Sequence, residues 1–188
     1  SELVEQCKTA INNTLASEPK NYAELSAPIN AINDQLDKAW SPVSHMNSVV
    51  SNDALREAHD ACLPILSQYS TFVGQHAGLY QAYTKIQNSD EFNQLSIPEQ
   101  TVITQSIRDF TLSGIGLAPE KQARFAEVKQ RLSELSSQFS NHLMDATLGW
   151  FKQVEDEAEL SGLPESAKQA AKQAAESKSL TGWVFTLD

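Results

Sequence analysis

Glycine and proline are both scarce in this chain, at seven residues each in 188, and aromatic residues make up only 7%. With hydrophobic residues at 40%, so few glycines and prolines suit a globular helical chain with a single sizeable core better than a disordered one. Basic residues are few as well, 14 against 24 acidic, giving a formal charge of -10. A chain of that sign repels phosphate backbones and anionic headgroups, so neither nucleic acid nor a membrane is expected as a partner. No apolar run approaches the ~20 residues that span a bilayer. The opening Ser1-Glu2-Leu3-Val4-Glu5 lacks the basic segment of a secretion signal.

Cysteine is nearly absent. Cys7 and Cys62 lie far apart, each at an apolar helical position and without Cys-x-x-Cys spacing. They read as buried thiols in a reducing cytoplasm rather than as a disulfide. Asn12-Asn13-Thr14 fits the glycosylation pattern, but so short a pattern arises often by chance.

The common signatures of catalysis are missing too. A zinc peptidase uses His-Glu-x-x-His on a helix, because two imidazoles one turn apart grip the metal while the Glu activates its water. The four histidines, His45, His59, His76 and His142, include no such pair, and none precedes a Glu. Glu-x-x-His, which builds di-iron bundles, does not occur, nor does the Gly-x-Ser-x-Gly of serine hydrolases. Glu155, Asp156, Glu157 and Glu159 lack the order of a calcium loop and read as a solvated turn. Gly114 and Gly116 make half a phosphate loop, with no Gly-Lys-Ser/Thr behind them, so they are better explained by helix termination. His59 and His76 fall on an apolar stripe about five turns apart, roughly 25 Å, too far to share an ion. They read as core histidines, and His45 and His142 as polar-facing ones. The expectation is that these residues include no catalytic, cofactor-binding or metal-binding side chain.

What the sequence does have is helical periodicity. Leu3, Cys7, Ile11 and Leu15 recur four apart. Asn21, with Glu24 three residues on, opens a second helix whose stripe is Tyr22, Leu25, Ile29, Ile32, Leu36 and Trp40. Pro28 should kink or restart it, and Ser41-Pro42 should change its direction. From Asn52 to about Gln87 the steps of three and four continue unbroken, predicting a helix roughly 50 Å long with a bend at Pro64. Ser96 and Glu99 form a capping box around Pro98, and Gly114 is a left-handed stop. A helix opened by Pro119 follows, with Phe125, Val128, Leu132, Leu135, Phe139, Leu143 and Ala146 on a stripe expected to be buried. Residues 148–154 and 181–187 read as short strands flanking an alanine-rich helix from Pro164 to Lys178. Trp150, Trp183 and Phe185 are expected to form an exposed apolar surface there. The fold class is thus mainly α, an elongated antiparallel helical domain with a kinked long helix and a short two-stranded β element near the C-terminus. Residues 1–147 read as a helical domain, and residues 148–188 as a strand-helix-strand segment.

The wording of the second half adds a family likeness. Phe110, Leu112, Ser113, Gly114 and Leu117, then Arg131 to Leu135 and Phe139 to Asn141, resemble the N-terminal helical region of the zinc oligopeptidases that include thimet oligopeptidase and neurolysin. Trp40 to Ser48 and Leu160 to Pro164 extend the likeness over most of the chain. The resemblance implies a cytoplasmic parent protein that hydrolyses short peptides with a zinc-bound water. Within it these residues shape the substrate channel, and both the metal and the catalytic groups lie in the remainder of the chain. Oligopeptide substrates and that remainder are the implied partners. The alternative is a stand-alone helical interaction module, against which an end placed directly after a strand would count.

Overall fold

The computed structural model describes residues 1–187. Among them, seven α-helices and two strands run in the order α1 (Glu2–Ala16), α2 (Tyr22–Val49), α3 (Asp53–Gly74), α4 (Ala77–Gln87), α5 (Ile97–Leu112), α6 (Pro119–Gly149), β1 (Phe151–Val154), α7 (Glu165–Ser177) and β2 (Trp183–Thr186). The chain forms two compact units, Ser1–Leu135 and Ser136–Asp188. The expected class, mainly α with a small antiparallel sheet near the C-terminus, is what the chain adopts.

The first unit is built on the stripes that the periodicity marks. Val4, Cys7 and Ile11 of α1 meet Leu25 and Ile29 of α2, and Tyr69, Leu79, Ile86, Ile103 and Phe110 complete one core from α3, α4 and α5. Helix starts are set by side chains that accept otherwise orphaned amide hydrogens. Asn21 accepts from the Glu24 amide at 2.8 Å, and Asn52 accepts from the Leu55 amide at 3.0 Å. The Ser96–Glu99 capping box is formed, with the Ser96 amide donating to the Glu99 carboxylate at 2.8 Å. Gly114 follows the end of α5 at φ +85°, a conformation that costs a side chain-bearing residue about 1 kcal/mol or more.

Three expectations are corrected. Neither Pro28 nor Pro42 ends or restarts α2, which runs as one helix from Tyr22 to Val49. Both prolines are exposed, and the carbonyls that lose a donor belong to the exposed residues Glu24 and Lys38, where water can serve them. The run from Asn52 to Gln87 is two helices, not one: α3 passes through Pro64 and ends at Gly74, and α4 begins after His76. A Cβ on Gly74 would lie 2.6 Å from the Cβ of Ser113, so only glycine lets the end of α3 approach α5 so closely. Gln75 holds that approach by donating from Nε2 to the Ser113 carbonyl at 3.1 Å.

The third correction concerns α6. Its apolar residues do share a stripe, but Val128, Leu132, Leu135, Phe139 and Leu143 are 44–70% exposed, and no residue of the helix is buried. Phe125 at the start of the stripe is half-buried, and the rest of this amphipathic face stays exposed from Val128 to Leu143.

In the second unit β1 pairs antiparallel with β2, Phe151 opposite Thr186 and Val154 opposite Trp183. Val154, Val184, Leu160, Ala171 and Ala175 are its buried residues, so the small alanines of α7 allow the helix to lie close to the strands. Asp156 accepts from the Ala158 amide at 2.9 Å and so caps the short 3-10 turn Glu157–Leu160 inside the acidic stretch. Trp150 is exposed, as anticipated, whereas Trp183 and Phe185 are half-buried.

Candidate functional site

Two of the four histidines have separate structural tasks. His59 is buried, stacked on Trp40 with ring centroids 5.0 Å apart, and its Nδ1 lies 3.1 Å from an Asp60 carboxylate oxygen. His76 is not a core histidine of a long helix, as the stripe suggested. It is the N-cap of α4, where Nδ1 accepts from the Leu79 amide at 3.3 Å while Nε2 lies 3.3 Å from Asn12 Oδ1. An accepting Nδ1 places the ring proton on Nε2, which then donates to Asn12. His45 and His142 are exposed. Among the described residues no group of three or more His, Cys, Asp or Glu side chains could hold a metal ion. A zinc ion, which takes three or four such donors, therefore has no fitting set here.

Concave surface lies elsewhere. A cleft of about 460 Å³ opens among α2, α3, α4 and α5. Ile29, Val73, Leu79 and Phe110 give it an apolar floor, and Asn30, Asn33, Ser70, Ser106, Asp109 and Ser113 bring polar groups to it. Gly74 also lines it, so the break between α3 and α4 helps to shape it.

Its phenols are held protonated. Tyr83, packed at 5.9 Å from the Phe110 ring, is pushed up to about 12 by burial. Tyr69 is raised further by burial, with neighbouring Cys7 adding to the effect, and burial also raises the Cys7 thiol. Both phenols therefore remain hydrogen-bond donors at physiological pH. Tyr69 uses its hydroxyl on Asn33, donating to Oδ1 at 2.6 Å. The sequence alone does not mark these cleft residues as functional. Asn30 and Asn33 one turn apart on an otherwise amphipathic helix were the available signal, and single polar residues beside a stripe carry little weight alone.

The sequence matches the description Neurolysin/Thimet oligopeptidase, N-terminal domain, over residues 1–122. The chain belongs to the neurolysin/thimet oligopeptidase family. Within that family it is similar to Oligopeptidase A of Haemophilus influenzae, 54% identical over 187 residues, which is all of this chain and 28% of that protein. It is also similar to Oligopeptidase A of Escherichia coli, 46% identical over all of this chain and 28% of that protein. A plant relative, Probable cytosolic oligopeptidase A of Arabidopsis thaliana, is 31% identical over 99% of this chain and 28% of its own length. The chain thus spans a little over a quarter of these oligopeptidases. No helix among the described residues is long and apolar enough to cross a membrane.

Proposed function

We propose that this chain is the N-terminal helical part of a cytoplasmic zinc metallo-oligopeptidase, and that it shapes the channel through which short peptides reach a reaction carried out by the remainder of the parent. The observation that supports this is the match, along the whole chain, to 28% of proteins named Oligopeptidase A. Two further features fit the reading. The free thiols of Cys7 and Cys62 suit a reducing compartment. The uncovered stripe on α6 suits a face that the rest of the parent would bury.

The physical role of such a part is selection by shape. A narrow channel admits an extended peptide, whereas a folded protein would first have to give up about 5–15 kcal/mol of stability. The acidic surface, at a net charge of -10, serves solubility.

The reading is tested on the parent reading frame and its product. The expected result is a His-Glu-x-x-His motif encoded beyond residue 188 and one zinc per full-length molecule. A parent that contains neither would contradict it.

A further inference from the structure

The cleft among α2, α3, α4 and α5 has a lining that selects its occupant. No Lys, Arg or His lines it, and its one carboxylate, Asp109, sits 3.0 Å from the Arg108 guanidinium, so the cleft carries no net charge that would select an ion of either sign. A charged group would meet a paired carboxylate and guanidinium at the edge and no opposite charge of its own. A purely apolar ligand would cut the polar groups off from water without replacing their hydrogen bonds. The remaining class is neutral and polar, with donors and acceptors close together, and a peptide main chain offers one of each per residue.

The side chains present match that pattern. Asn30 and Asn33 stand three residues apart on α2 and so share a face. Tyr69, only 8% exposed, fixes the Asn33 amide by bonding to its Oδ1 at 2.6 Å, which leaves the Asn33 Nδ2 donor uncommitted. The Asn30 side chain is exposed and can both donate and accept. Ser106 adds a hydroxyl from α5, above the apolar Ile29, Val73 and Phe110. A volume of about 460 Å³ falls within the usual range for small-ligand sites.

We propose that this cleft binds a short, uncharged stretch of extended peptide. A main-chain carbonyl of the ligand accepts from Asn33 Nδ2, a main-chain N–H donates to Asn30 Oδ1, and one apolar side chain rests against Ile29, Val73 and Phe110. The inference rests on the oligopeptidase reading and adds to it a specific holding site on the N-terminal part.

The test uses the purified 188-residue chain and an N-acetylated, C-amidated Leu-Gly dipeptide, followed by backbone amide NMR titration. Saturable shifts are expected at residues 29–33 and 106–110. Asn33→Ala and Asn30→Ala should each weaken binding about three- to tenfold, the effect of one neutral hydrogen bond. An N-succinylated, anionic version of the same peptide should bind more weakly. The absence of saturable shifts at those residues, or an affinity unchanged by Asn33→Ala, overturns the proposal. Should Asn33→Ala fail to fold, Asn30→Ala decides in the same way, because that position is exposed. Failure of the two readings is separable. A full-length parent that cleaves oligopeptides while the cleft ignores the dipeptide sinks only the cleft, and a parent that cleaves none sinks the peptidase reading.

Discussion

His76 joins three helices through one ring. It caps α4 through Nδ1, contacts Asn12 of α1 through Nε2, and sets its edge against Phe72 of α3 at 5.1 Å. Replacing His76 with Ala should destabilise the chain by about 0.5–2 kcal/mol, the usual cost of a lost N-cap, whereas Asn should recover most of that. Urea denaturation of the two variants checks this, and equal losses would show that the cap is not what matters. Gly74 makes a sharper case. Its missing Cβ is what allows Ser113 to approach, so Gly74→Val should cost about 1–3 kcal/mol through overpacking, and more than Gly74→Ala. A Gly74→Val chain as stable as the parent sequence would disprove the close approach. The tyrosines give a pH dependence of definite sign. Burial raises Tyr83 to about 12, and Tyr69 moves in the same direction, so the folded chain holds these protons more tightly than the unfolded one. The contribution of Tyr83 is complete below about pH 10 and is lost as pH rises through about 12, and that of Tyr69 is lost at higher pH still. Denaturation midpoints should therefore fall in that alkaline window, and Tyr83→Phe should shrink the fall. A midpoint that stays flat over that window would contradict the burial of these phenols.

At the scale of elements, caps were more legible than continuity. Asn21, Asn52 and Ser96–Glu99 all start helices where a side-chain acceptor stands before an apolar stripe, because capping is a local interaction between neighbours in sequence. The break at Gln75 and His76 was hidden because α3 and α4 bury faces in the same core, so the steps of three and four carry across a gap in the helix. Gly74 and Gly78 on either side of His76 were the local hint. Pro28 and Pro42 stand inside α2 without ending it, since packing of the α2 stripe on α1 outweighs two lost donors at exposed sites. The cleft was illegible because it joins Asn33, Tyr69 and Ser106 from three helices, a juxtaposition that no window of sequence contains. The α6 stripe is legible as a set of positions but not in its exposure, because periodicity shows that a face is apolar and not what covers it. Leu132→Gln with Phe139→Gln should therefore change the stability of this chain by no more than about 0.5 kcal/mol, as for surface positions. The same pair should destabilise the full-length parent by several kcal/mol, as buried apolar residues do. Equal effects in both proteins, measured by thermal unfolding, would remove the idea that the parent covers this face.

At the scale of the molecule, the chain has a well-defined helical core in Ser1–Leu135 and a small strand-helix-strand unit after it. On α6 the apolar Val128, Leu132, Leu135, Phe139 and Leu143 are exposed. The chain belongs to the neurolysin/thimet oligopeptidase family and spans 28% of the length of its Oligopeptidase A relatives; under the proposed function those features belong to a part that works with a larger remainder. His59 and His76 serve this core through packing and capping. The decisive measurement is hydrolysis of an internally quenched oligopeptide, followed side by side for the purified 188-residue chain with added zinc and for the full-length parent. Turnover by the parent that a chelator abolishes, and none by the chain, is the expected result. Chelator-sensitive turnover by the chain alone would show that the reaction resides in these residues after all.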